Sequence, residues 1–122
     1  MGKKVQILAG KIKLQAVLGD SKQAKAIYDS LPIEGKVNTW GEEIYFSIPV
    51  DSVEAPDTEE VAVGTLGYWP PGRAFCIFFG RTPASTSDKP RAASAIVVVG
   101  EATGNLSGLK KVKDGESVEL RT

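Results

Sequence analysis

Two arginines bracket one apolar run, Arg73 ahead of Ala74 to Phe79 and Arg81 just behind it. Around them lie eight of the nine aromatic residues: Trp40, Tyr45, Phe46, Tyr68, Trp69, Phe75, Phe78 and Phe79. A guanidinium presents five donors in a fixed fork, so either arginine could orient a carbonyl or carboxylate beside the rings. The rings themselves either fill a core or line an apolar groove into which a few polar groups point. The candidates are therefore Arg73 and Arg81 for catalysis, and Trp40, Tyr45, Tyr68, Trp69, Phe75 and Phe78 for a binding groove. Period two along the run places Phe75, Ile77 and Phe79 on one face and Ala74, Cys76 and Phe78 on the other. One of these faces must be core, with Phe79 the leading core residue and Tyr68 and Trp69 the leading groove residues.

Other chemistries have little to work with. Histidine is absent from the 122 residues, which removes Ser-His-Asp and Cys-His nucleophile pairs and the usual histidine-containing zinc sites. Cys76 is the single cysteine, so neither a CxxC redox pair nor an intrachain disulfide can form; in its apolar run it reads as a buried structural thiol. Neither GxGxxG nor GxxxxGK[ST] occurs. Glu42 or Glu43 with Glu101 would offer a carboxylate pair only if the fold brought them together. Asp51 to Glu60 carries five carboxylates and no basic residue, but lacks the Asp-x-Asp-x-Asp-Gly ligand order, and reads as an exposed acidic loop or edge. No metal and no cofactor are expected. Fifteen Lys and Arg balance fifteen Asp and Glu, so no net field draws the chain to nucleic acid or an anionic membrane.

The elements that must position these residues are mostly strands. Val5 to Leu8, Ala9-Gly10 and the alternation Ile12, Leu14, Ala16 predict a hairpin. Ser21 offers an N-cap, and Ala24, Ile27, Tyr28 and Leu31 recur at helical spacing before Pro32, predicting the one principal helix over about 21–31. Strands follow at Glu42 to Val50, Thr65 to Tyr68 and Ala74 to Phe79, with Pro71-Gly72 suited to the centre of a type II turn. Trp69-Pro70 is an aromatic–proline bond, where a cis isomer is to be looked for. Gly80 to Pro90 reads as a loop, Ala95 to Val99 as a strand buried on both faces, and Asp114-Gly115 as the turn into a strand containing Val118 and Leu120. With 42% hydrophobic and 25% charged residues, the expectation is a single domain over 1–122: mainly β, a closed antiparallel barrel of about eight strands with one helix. The start Met1-Gly2-Lys3-Lys4 lacks a secretory apolar region and no run reaches the length of a membrane span, so the expected location is cytoplasmic.

Three segments carry a family resemblance. Trp40-Gly41-Glu42-Glu43-Ile44-Tyr45-Phe46, Gly67-Tyr68-Trp69-Pro70-Pro71-Gly72 and Phe78-Phe79-Gly80-Arg81-Thr82-Pro83-Ala84-Ser85 resemble the small cyclophilin-like domain family of bacteria and archaea. Ala26-Ile27-Tyr28-Asp29-Ser30-Leu31-Pro32 fits the same pattern, and the likeness spans nearly the whole chain. It implies an eight-stranded barrel related to cyclophilins, the peptidyl-prolyl cis-trans isomerases, in a family of largely unassigned role. Cyclophilins assist a rotation with a barrier of ~18–20 kcal/mol by aiming an arginine at the prolyl amide and seating the ring in an apolar pocket. Their Phe-His-Arg and Gln-Gly-Gly segments are missing here; Tyr45-Phe46-Ser47-Ile48-Pro49 stands in the similar place, so no catalytic residue carries over by position. The leading expectation is a domain that binds a peptide or small apolar ligand in an aromatic groove. The alternatives are a prolyl isomerase using Arg73 or Arg81 from outside the usual motif, and a structural or interaction protein whose rings are all core or interface.

Overall fold

The computed structural model describes residues 2–122. β1 (Lys3–Ala9) and β2 (Ile12–Leu18) form the expected hairpin, with Ala9 opposite Ile12 and the chain turning at Gly10, whose φ of 57° glycine adopts without a Cβ penalty. Val5, Ile7, Ala9, Leu14, Ala16 and Leu18 are buried, and the residues alternating with them face outward. α1 (Lys22–Asp29) begins where Ser21 Oγ accepts the Ala24 amide at 3.2 Å. It is shorter at both ends than 21–31, the Leu31–Pro32 bond that follows is cis, and Trp69–Pro70 is not. Buried Gln23 ties α1 to the acidic segment: its side chain donates to Asp51 O (3.0 Å) and accepts from Val53 N (2.9 Å).

The remaining strands are β3 (Ile33–Lys36), β4 (Asn38–Thr39), β5 (Glu43–Ser47), β6 (Thr58–Glu60), β7 (Thr65–Trp69), β8 (Ala74–Phe78), β9 (Arg91–Ala102) and β10 (Ser117–Arg121). Hydrogen-bonded neighbours run β3-β10-β1-β2-β9-β7-β8-β5-β4, antiparallel throughout, and β6 pairs with β9 beside this path. Ten strands replace the expected eight, because a short strand forms at the end of the acidic loop and the stretch after α1 supplies two.

The expected closure by hydrogen bonds is also corrected. The end strands β3 and β4 are separated in the chain by Val37 alone, so the sheet curls until its two edges are consecutive pieces of backbone. Val37 directs its amide to Glu116 O and its carbonyl to Gly115 N, both at 2.9 Å, and so offers neither group to a strand across the gap. Packing spans that gap instead: a Cβ on Gly35 of β3 would lie 3.1 Å from the Phe46 ring of β5.

Both faces of β5, β7 and β8 are covered. The inner face carries the main core, including Ile44, Phe46, Leu66, Tyr68, Phe75, Ile77 and Phe79, to which α1 adds Ala24 and Ile27. The outer face carries a second cluster of Val61, Ala74, Cys76, Phe78, Ala92 and Ile96, with Tyr45 and Trp69 packed against it. Both faces of Ala74 to Phe79 are therefore core, since the first half of β9 and the β6 side of the chain roof the outer one. β9 in turn is not buried on both faces throughout: Val98 is 43% exposed, next to a register shift against Leu66 and Gly67.

Candidate functional site

A pocket of about 180 Å³ opens on the outer face, beside the second cluster. Its lining comes from Trp40, Glu43, Tyr45, Trp69, Cys76, Ala92, Ala93 and Ile96. A tight turn sets one side. Trp40 N donates to Glu43 O at 2.9 Å across Gly41-Glu42, and of the two central residues only Gly41 has positive φ (60°), as a type II′ hairpin requires. Trp40 and Glu43 are thus a cross-strand pair on one face, and Tyr45 shares that face two residues on. Gly41 is needed for a second reason: a Cβ there would come within 2.8 Å of Pro83 and 2.9 Å of Thr82, where the turn seats against the following loop.

That loop, 80–90, is stitched down. Glu42 N donates to Arg81 O at 2.8 Å, the buried Thr82 hydroxyl donates to Arg91 O, and Ser85 Oγ donates to Lys89 O at 2.8 Å.

Trp69 forms the opposite wall. Its Nε1 donates to Ser94 Oγ of β9 at 2.7 Å. The indole lies over Gly72, where a Cβ would come within 2.8 Å of the ring, so this glycine serves ring packing. The expected type II turn at Pro71-Gly72 is instead a 3-10 turn over Pro70–Gly72, and the left-handed residue is Arg73, at φ 47° and ψ 46°. Tyr45 and Trp69 meet edge to face, centroids 6.4 Å apart at 68°.

Two ionisable groups sit among these rings. Glu43 is only 5% exposed, and no lysine or arginine pairs with it among the described residues. Burial pushes its carboxyl up to about 7, while a hydrogen bond from the Cys76 thiol acts in the opposite direction. Burial likewise pushes the Cys76 thiol well above its ordinary range, and the nearby Glu43 charge adds to the effect. Such a thiol stays protonated and unreactive at neutral pH, in keeping with the structural role read from the sequence.

Of the groove residues expected from sequence, Trp40, Tyr45 and Trp69 are brought together, and Tyr68, Phe75 and Phe78 are not. Tyr68 is wholly buried on the inner face and its hydroxyl donates to Val50 O at 2.5 Å; burial raises its pKa above the ordinary phenol value. Phe75, also wholly buried there, packs on Phe46 with centroids 5.6 Å apart. Phe78 lies on the outer side but is fully covered within the second cluster. Neither candidate arginine lines the pocket: Arg73 is 56% exposed and paired with Asp51 at 2.8 Å, and Arg81 is exposed in the loop. Sequence reading named Glu43 only as half of a carboxylate pair and missed its place in the pocket. The signal was present in period two, which puts Glu43 and Tyr45 on one face of β5.

Fold and site together define a small antiparallel β protein with one helix, whose curved sheet carries an aromatic pocket with a buried carboxyl on its outer face. The chain belongs to the cyclophilin-like family, whose model matches residues 3–121. It is similar to the solution structure of a hypothetical protein from Archaeoglobus fulgidus, at 37% identity over 98% of this chain and 94% of that one, with a TM-score of 0.82. No match was found among curated proteins. Among the described residues no helix is long and apolar enough to cross a membrane.

Proposed function

We propose that this cyclophilin-like domain is a binding protein that takes a small ligand, or one side chain of a peptide, with an apolar body into the pocket between Trp40, Tyr45 and Trp69. The observation that carries the reading is the half-buried state of these three rings around a pocket of about 180 Å³, whereas every other aromatic except Tyr28, which packs against the main core, is buried. Rings left partly exposed, and held in place by the Ser94 bond and the Gly41 turn, are costly unless something uses them. The pocket is built before any ligand arrives, so binding need not order it first.

Both tryptophans of the chain line this pocket, so intrinsic fluorescence reports on it directly. Titration with a panel of proline-containing peptides and small apolar compounds is expected to shift the emission of wild type saturably. Trp69→Leu should weaken that binding while leaving the far-ultraviolet circular dichroism unchanged. Compounds that bind equally well to wild type and Trp69→Leu would place the site elsewhere and overturn the reading.

A further inference from the structure

Glu43 is the one carboxyl in the pocket lining, and this sets the kind of head group the pocket suits. Glu43 is nine-tenths buried at the pocket, and its carboxyl finds no basic partner and, besides the Cys76 thiol, no donor among the described residues. The titratable groups facing it are few. Cys76, whose thiol burial keeps protonated, comes from β8 and Tyr45 from β5, and β9 contributes only Ala92, Ala93 and Ile96. Two basic residues close by in sequence or pairing are engaged elsewhere: Lys110 with Glu42, the neighbour of Glu43, at 3.3 Å, and Arg91, the neighbour of Ala92, with Glu59 at 2.9 Å. An acid placed where no cation of the chain reaches it is costly to ionise, and an incoming cation would remove that cost.

The walls favour the same occupant. Trp40, Tyr45 and Trp69 present ring surfaces to the pocket, and the Tyr45 and Trp69 planes meet at 68°, making a corner of two π-systems. Ring faces attract cations through their quadrupoles, tryptophan most strongly, and the attraction grows where water is excluded. A carboxyl set among such rings complements a positive head group carrying apolar substituents.

Resting on the pocket reading above, we infer that the ligand is a small organic cation, an alkylammonium whose charged head sits between Glu43 and the rings of Trp40, Tyr45 and Trp69. Binding requires the ionised carboxylate, so below about pH 7 it must expel the Glu43 proton and weakens as pH falls.

The test is a titration of the intact protein with choline and n-butylammonium, and with the neutral carbon isostere of choline, read by tryptophan fluorescence and by amide shifts of Glu43, Tyr45 and Trp69. The expected result is saturable binding of the cations, with the isostere at least about tenfold weaker. Affinity should rise with pH and level off above about pH 7. Glu43→Gln, confirmed folded by its amide spectrum, should lose the preference for charge. An isostere that binds as well as choline, or a Glu43→Gln protein that keeps the full preference, overturns the cation inference and leaves the pocket reading standing. If neither cations nor neutral compounds move the pocket amides, both fall together.

Discussion

Replacing Glu43 by glutamine preserves the side chain's length and shape and removes one titration. The unfolded chain's carboxyl ionises near 4.5, whereas burial in the fold holds it to about 7. Between those values the folded protein keeps a proton that the unfolded chain has released, so stability falls as pH rises. The stabilising contribution of the neutral acid is whole below pH 4.5 and is lost as pH passes through about 7. At 1.36 kcal/mol per pH unit the full effect is about 3 kcal/mol, of which about 0.8 kcal/mol has been lost by pH 5. Urea unfolding of wild type and Glu43→Gln from pH 4 to pH 8 measures the difference directly. The variant's stability relative to wild type should climb by about 3 kcal/mol across that range and then level off. Any fixed cost or gain of the amide shifts both ends equally and leaves the climb intact. Parallel pH profiles for the two proteins would refute the claim that Glu43 is buried without a compensating charge.

Phe75→Ala should cost about 3–5 kcal/mol in urea unfolding, because the ring is wholly buried against Phe46 in the main core; a loss below about 1 kcal/mol would contradict that packing. Tyr68→Phe deletes the hydroxyl that donates to Val50 O and leaves that carbonyl without this donor, so a loss of about 1–3 kcal/mol with unchanged ligand binding is expected. Arg73→Gly exchanges an exposed ion pair with Asp51 for a residue at ease with φ 47°, and its stability should stay within about 1 kcal/mol of wild type.

The sequence was most readable where one local rule acted alone. The first hairpin followed from alternation and Gly10, and α1 from its Ser21 cap and helical spacing. The same rules could not show that Val37 interrupts the strand after α1, because that depends on backbone bonds to Glu116 and Gly115, far along the chain. Phe75, Tyr68 and Phe78 were misjudged as groove residues for a related reason. Period two sorts side chains between two faces, but only the partner elements decide what covers each: Tyr68 and Phe75 face the main core, and the first half of β9 roofs Phe78 on the outer side. Trp69 escapes burial because Gly72 and Ser94 hold its indole beside the opening. Glu43 was legible in principle, since it shares a strand face with Tyr45, yet a carboxylate beside apolar residues reads first as solvated surface. Its surroundings at the pocket, Trp40, Tyr45 and Cys76 together with Ala92, Ala93 and Ile96 of β9, come from segments far apart in the chain.

The most direct test of the central claim is a fragment titration followed in the nitrogen–proton spectrum of the labelled protein, where the two indole resonances belong to Trp40 and Trp69. The account predicts that both indole signals and the amides of Glu43, Tyr45 and Cys76 move together and saturate, while the amides of Tyr68 and Phe75 stay nearly still. Shifts centred on Arg73 or Arg81 and sparing both indoles would contradict it and move the site to the other side of the sheet or to the loop.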